Sequence, residues 1–529
     1  MKRPLSVSLA ALVALTAPLA TQAADRDLRV AYDVGDISSM DPHRASSHVD
    51  RAIASMVFNG LVRLPAGSAN MADIEPDLAE SWEQSEDGLT WTFKLRGGVM
   101  FQGWDGGEPY EMTAEDVVFS LNKAMDPEQS AYSGEYTGMT IEATDDMTVA
   151  ITTPEPLSET LMLAKLMNYG AGFIISKQAY EQMGADGFRL HPVGTGPFGF
   201  SGYTPQSEVD LVANENYFRG TPKLPGVDIL FMPDVSARGI GLRTGELDVI
   251  EGSSEQSWVQ LMQSYPNVEV EVFGPGSASV LFLNMNKPPL DDLKVRQAIA
   301  HAISRDAVVA AIGPATATPL EAPFPGEYLP GGLTNEEVEA EGLTYDFDPE
   351  KAKALLAEAG YPDGITLTVV HTELSVMLRP MENVQAQLRQ SGINLDLQVV
   401  DHSTYHSLIR DDASQIVHYM AWRPNADVFL TRFYDSASDI TGGASPDTNF
   451  SHYAGVDELI AQARNTVDGA EQAALWKQAS EQILRDLPSI PVFQGRSAIA
   501  HTTALELGYE LEGNLAFFMP VTEVTDIVE

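Results

Sequence analysis

One short stretch of this chain gathers side chains that could hold a small charged molecule: Trp422-Arg423-Pro424-Asn425-Ala426-Asp427. The indole of Trp422 offers stacking area and the guanidinium of Arg423 a bidentate donor for an anion. Asn425 adds an amide, and Asp427 a carboxylate for a cation. A pocket that fixes a small zwitterion needs those types. The stretch follows an apolar run, Ile416 to Trp422, read as a strand, and ligands in open α/β sheets sit beyond the carboxyl ends of strands. A solvated loop has the same composition, so chemistry alone leaves both readings open.

Other candidate chemistry is weaker. Gly194-Thr195-Gly196-Pro197-Phe198-Gly199-Phe200 lacks the Lys-Ser/Thr of a P-loop and the glycine spacing of a dinucleotide site, so a structural turn or cleft wall is expected. His402 and His406 fall on one helical face, but no glutamate base accompanies them as in zinc hydrolases, and the other histidines are scattered. There is no Gly-x-Ser-x-Gly elbow and no cysteine. Carboxylates are too numerous for any pair of them to signal acid–base catalysis.

The elements that must position these residues belong to a large chain. At 529 residues it exceeds a single core. Its 75 acidic and 32 basic residues leave a net charge of −43, which repels nucleic acid and anionic lipid and reads most simply as a solvated, salt-tolerant surface. Lys2-Arg3, the apolar run Leu5 to Leu19 and the small residues before Ala23 predict a signal peptide over 1–23. No later run reaches the roughly 18 apolar residues of a membrane span. Without cysteine there is neither a disulfide nor an acceptor for a lipid at the mature N-terminus, so a free chain in a Gram-negative periplasm is expected.

Local patterns predict an α/β chain. Leu89 to Leu95 and Val268 to Phe273 alternate as strands. Thr113 starts a helix with Glu115 and Asp116 in its first turn. Asp348 with Pro349 starts another, and Gly360 ends it. Strand 365–371, helix 376–390 and strand 393–400 form a βαβ crossover. Residues 193–250 read as turn, strand, turn, strand, helix and strand, the skeleton of an α/β domain. Residues 65–190 read as a small α+β insertion. Turn-rich breaks fall at Phe273 to Ser277 and Pro491 to Gly495.

Several blocks resemble the large extracytoplasmic solute-binding proteins of peptide and nickel ABC importers, family 5. They are Met40-Asp41-Pro42-His43, Glu75 to Trp82, Asp87 to Phe93, Leu95 to Val99, 113–122, 193–198, 243–250 and 283–303, in the family's order over nearly the whole mature chain. The resemblance implies a two-lobed periplasmic-binding-protein clamp. Lobe I would comprise 24–274 plus 494–529, with the extra α+β subdomain at about 65–190, and lobe II 278–490. The crossings would lie near 273–277 and 491–495.

The same resemblance implies a monomeric carrier that binds a small peptide-like or zwitterionic solute, delivers it to ABC-importer permease subunits, uses no cofactor and performs no reaction. It places Met40 and Asp41 on one wall of the cleft and Trp422, Arg423, Asn425 and Asp427 on the other. Asn425-Ala426-Asp427 stands where similar dipeptide binders have Asp-Pro-Asp, and His371-Thr372 where they have an arginine, which points away from a free α-dipeptide. A short oligosaccharide, an opine, a metal or haem on the same fold remains an alternative, and so does an exported carboxylate hydrolase.

Overall fold

A computed structural model describes residues 26–528. Two sheets dominate it. The first has seven strands, in the order Phe198–Thr204, Glu208–Ala213, Gly226–Phe231, Leu28–Tyr32, Val249–Glu251, Ser497–Thr502 and Val268–Phe273. Leu28–Tyr32 runs parallel to both of its neighbours, and the remaining pairs are antiparallel. The second has four antiparallel strands, Ala317–Pro319, Ser489–Gly495, Ala278–Leu283 and Ile416–Ala421. This is the two-lobed α/β fold.

Alternation explains the strands. In Val268–Phe273 the valines pack with Ala498, Ala500 and Trp258, while Glu269 and Glu271 share the opposite face. Ala278–Leu283 is buried along its whole length, as a central strand covered on both faces must be. The crossover of 365–400 forms as expected: Ile365–Thr372 and Ile393–Val400 pair in parallel around the helix Ser375–Gln390.

Caps set the helices. Thr113 and Asp116 form a reciprocal capping box at Ala114–Met125. Asp348 caps Pro349–Glu358, and Gly245 ends Val235–Thr244 in a left-handed conformation with φ 79°. Between 79 and 152 an antiparallel four-stranded sheet stands apart from the larger ones. The glycine-proline turn is structural: a Cβ on Gly194 would lie 1.9 Å from the Val57 carbonyl at the end of helix His48–Val57.

The chain passes between the two large sheets twice. Phe273 ends a strand of the first, and Ala278 starts a strand of the second. Gly495 ends a strand of the second, and Ser497 starts a strand of the first, leaving Arg496 between them. The expected break over 491–495 is therefore strand. Pro491 fits because the pairing with Ala278–Leu283 shifts register at Ser279/Val280, opposite that proline, where a missing N–H costs no ladder bond.

The predicted signal peptide, 1–23, lies outside the described residues. Among those described, no helix is long and apolar enough to cross a membrane.

Candidate functional site

A cavity of about 200 Å³ opens where the two sheets meet, at both chain crossings. Ser254, Ser497 and Phe517 line it from the side of the seven-stranded sheet, and Thr316, Met420 and Phe493 from the other. Gly276, Ser277 and Arg496 come from the crossings themselves. Larger grooves of about 580 and 640 Å³ are lined only by residues between 98 and 217 and do not touch the second sheet.

Arg496 is the charged group of this cavity. Its backbone N–H donates to Thr316 O at 2.8 Å, which fixes the residue between the sheets. Its half-buried guanidinium makes no hydrogen bond, ion pair or ring contact among the described residues, and no acidic residue lines the cavity. A half-buried guanidinium with free donors suits a carboxylate. Phe517 lies opposite, in a left-handed backbone conformation with φ 59° that is an outlier for an aromatic residue. Its N–H is held by Asn514 O at 3.0 Å.

Buried polar groups brace the floor of the cleft. His418, on the strand that carries Met420, has Nδ1 3.0 Å from His371 Nε2 and Nε2 2.8 Å from Ser279 Oγ. His371 Nδ1 donates to Thr372 O at 2.9 Å, so its Nε2 must accept from His418 Nδ1–H, and Ser279 must donate to His418 Nε2. Both rings are thereby neutral. Burial pushes His418 down to about 3 and also lowers His371. Thr372 Oγ1 continues to His402 Nδ1 at 3.1 Å, and His402 Nε2 to His406 Nε2 at 3.2 Å. Histidines that looked scattered in sequence thus form one connected run.

The residues expected at the ligand do not all meet there. Met40 and Asp41 are 0% and 1% exposed. Both Asp41 oxygens accept from Lys123 Nζ, at 3.0 and 2.8 Å, and its Oδ1 also accepts from the His43 backbone. They lie in the interior rather than on an open wall, and the buried Asp41 carboxylate is met by a buried cation. Asn425 caps the helix Ala426–Tyr434 through Val428 N–H.

Asp427 opens that helix and is engaged by Arg464 at 3.3 Å. Burial holds its carboxyl above the usual range despite this partner. Arg423 lies over the Phe433 ring, 5.1 Å from its centroid, and donates to Trp422 O. Trp422 alone of this stretch reaches toward a crossing. Its ring meets Tyr328 edge-on at 6.0 Å, and the Tyr328 hydroxyl lies 1.9 Å from where a Cβ on Gly274 would stand.

Contacts between the two halves cluster around the same cavity. Gln256 Oε1 accepts from Ala315 N–H at 3.2 Å, and Thr316 Oγ1 donates to Ser254 O. Arg379 pairs with Glu255 at 3.2 Å. Farther out, Ser158 Oγ donates to Gln472 Oε1 at 2.7 Å.

The family model of bacterial extracellular solute-binding proteins, family 5, matches residues 73–440. The chain belongs to this family. A heme-binding protein A from Haemophilus influenzae is 31% identical over 469 residues, covering 83% of this chain and 82% of that protein. The dipeptide-binding protein of Escherichia coli is 30% identical over 483 residues, covering 85% and 84%. Among solved structures, the binding protein MoaA from A. tumefaciens R10, in complex with mannopinic acid, is 38% identical with a TM-score of 0.77, covering 96% of this chain and 100% of that one. This family 5 protein is the extracytoplasmic solute-binding component of an ABC importer, and the cavity between its sheets is the candidate place for the solute.

Proposed function

We propose that this family 5 protein is a periplasmic receptor for a small carboxylate-bearing solute, which Arg496 holds at the junction of the lobes. The observation that carries this reading is the unpaired guanidinium in a cavity lined from both sheets and free of acidic residues. The volume, about 200 Å³, lies below the roughly 300–1,000 Å³ of sites for drug-sized ligands, which favours a small cargo. The solved relative in complex with mannopinic acid, an acid by name, fits such a cargo. Ser254, Ser277, Thr316 and Ser497 supply hydroxyls that suit a polyhydroxylated or peptide-like body, and Phe493 and Met420 an apolar face.

In this reading the lobes divide at 274–277 and at Arg496, and the insertion over about 65–190 belongs to lobe I. The leader over 1–23 is removed on export. The mature chain is a free monomer that closes on its solute, presents it to permease subunits and leaves it chemically unchanged.

Thermal melting of purified, ligand-free protein against opinic acids, dipeptides, neutral sugars and haem tests the proposal. A ligand that binds only the folded state stabilises it by RT ln(1 + [L]/Kd). Upward shifts confined to carboxylate-bearing solutes are expected. Stabilisation by neutral sugars with carboxylates inert would refute the reading, as would turnover of any solute.

A further inference from the structure

We propose that Glu269, Glu271 and His501 form a binding site for a divalent transition-metal ion of the zinc type, on the lobe I sheet and separate from the solute cavity.

The backbone register builds the triad. Val268–Phe273 is the edge strand of the seven-stranded sheet and pairs antiparallel with Ser497–Thr502, which sets Glu269 directly opposite His501. Glu271, two residues along, projects from the same face as Glu269. One imidazole nitrogen and one oxygen from each carboxylate lie within 4.8 Å of one another.

The second observation is the state of His501. The residue is 2% exposed, and its Nδ1 lies 2.9 Å from Thr502 O, which makes Nδ1 the protonated nitrogen. Nε2 then carries a lone pair. It is buried and has no hydrogen-bond partner. The nearest charged atom, Glu271 Oε1, is 3.8 Å away, too far for a hydrogen bond. A buried lone pair facing two carboxylates is unfavourable unless a cation stands between them. An imidazole oriented through Nδ1–H to a backbone carbonyl, with Nε2 free, is the arrangement that metal-ligating histidines adopt.

The ligand set selects the metal. One nitrogen and two carboxylate oxygens suit zinc, and imidazole disfavours calcium and magnesium. Tetrahedral zinc at about 2.1 Å from each ligand needs ligand atoms about 3.4 Å apart. Glu269 is exposed and Glu271 only half-buried, so both side chains can draw in. The open side of the edge strand leaves a fourth position for water.

The location gives the site a role. Val268–Phe273 leads into the first crossing, and Ser497–Thr502 leads out of the second. A metal bridging them would staple together the two strands that anchor both connections to lobe I.

The test uses full-length mature protein without a histidine tag, stripped with chelator and titrated with zinc chloride by calorimetry. One zinc per chain and a higher melting temperature are expected. The surface variant E269Q/E271Q, which leaves the buried histidine in place, should weaken binding at least tenfold. H501Q should do the same, and H402A/H406A should leave binding unchanged. Visible absorption of the cobalt-loaded protein should show a tetrahedral centre that the glutamine variants lack. No zinc binding would overturn the proposal. So would binding of several ions that E269Q/E271Q does not reduce, since an acidic surface collects cations non-specifically.

Discussion

Replacing Arg496 by alanine separates binding from folding more cleanly than any other change in the cleft. The guanidinium makes no hydrogen bond or ion pair among the described residues, so its removal breaks no internal polar bond. The backbone N–H that reaches Thr316 O survives the substitution. The ligand-free variant should therefore melt within about 0.5 kcal/mol of the parent, as for a surface change. Solute binding should suffer much more. Truncating one partner of a buried, hydrogen-bonded charge pair costs about 2–5 kcal/mol. Arg496 is half-buried, so solvent screening places the loss near the lower end, about 2 kcal/mol. At about 1.4 kcal/mol per decade, Kd rises roughly 30-fold. Arg496→Lys keeps the charge but loses the planar fork and should fall between the two. Isothermal titration of each variant with the tightest carboxylate from the melting screen reads these values directly. Equal affinity in parent and Arg496→Ala would remove the residue from the site. An equal loss in melting temperature and affinity would make its role structural.

Other consequences are as direct. Lys123→Met strands the buried carboxylate of Asp41 and should lower unfolding stability in urea by about 3–5 kcal/mol, with much of the loss recovered by adding Asp41→Asn. Burial lowers His418 to about 3 and His43 to about 4, so each folded-state value lies below the unfolded value of 6.5. Their stabilising contribution is complete above pH 6.5 and is lost as pH falls from there toward 3–4, at up to about 1.4 kcal/mol per pH unit per group. Melting curves between pH 7.5 and 4.5 should show this slope, and His418→Gln should flatten it. Arg379→Ala removes an exposed ion pair with Glu255, worth about 0–1 kcal/mol, and should change solute Kd by less than about fivefold in the same titration.

Periodicity made the fold legible. The alternating valines and glutamates of 268–273 fix a strand with two unlike faces, and Asp348, Pro349 and Gly360 bracket a helix with side-chain and backbone chemistry alone. Gly274-Pro275-Gly276 marked the first crossing because no strand continues through it. The stretch 491–495 reads as a break because proline normally ends a strand, whereas the register shift opposite Pro491 accommodates it within one. The site was far less legible. The sequence offered one warning at 425: an asparagine before Ala426-Asp427-Val428-Phe429 is a helix start, so Asn425 was committed to a cap before any ligand. Asp41 looked available because its partner, Lys123, stands 82 positions away. Arg496 carried no motif at all. Its importance comes from lying on the single residue between two sheets, which spacing along a chain does not encode.

The cleft also bears on how so acidic a protein could hold the proposed carboxylate. A net charge of −43 opposes the approach of a carboxylate, but charges beyond a Debye length, about 8 Å at physiological salt, are largely screened. Inside the cavity the balance reverses. Arg496 is the charged side chain among the lining residues, and Coulomb energy scales inversely with both distance and dielectric. Glu255, next to the lining residue Ser254, pairs with Arg379, and Asp427 pairs with Arg464. Both of these acids thus have a cation of their own, while no acid lines the cavity beside Arg496. In the proposed reading that asymmetry favours a carboxylate over a net cation, which would meet Arg496 with no lining acid to offset the repulsion.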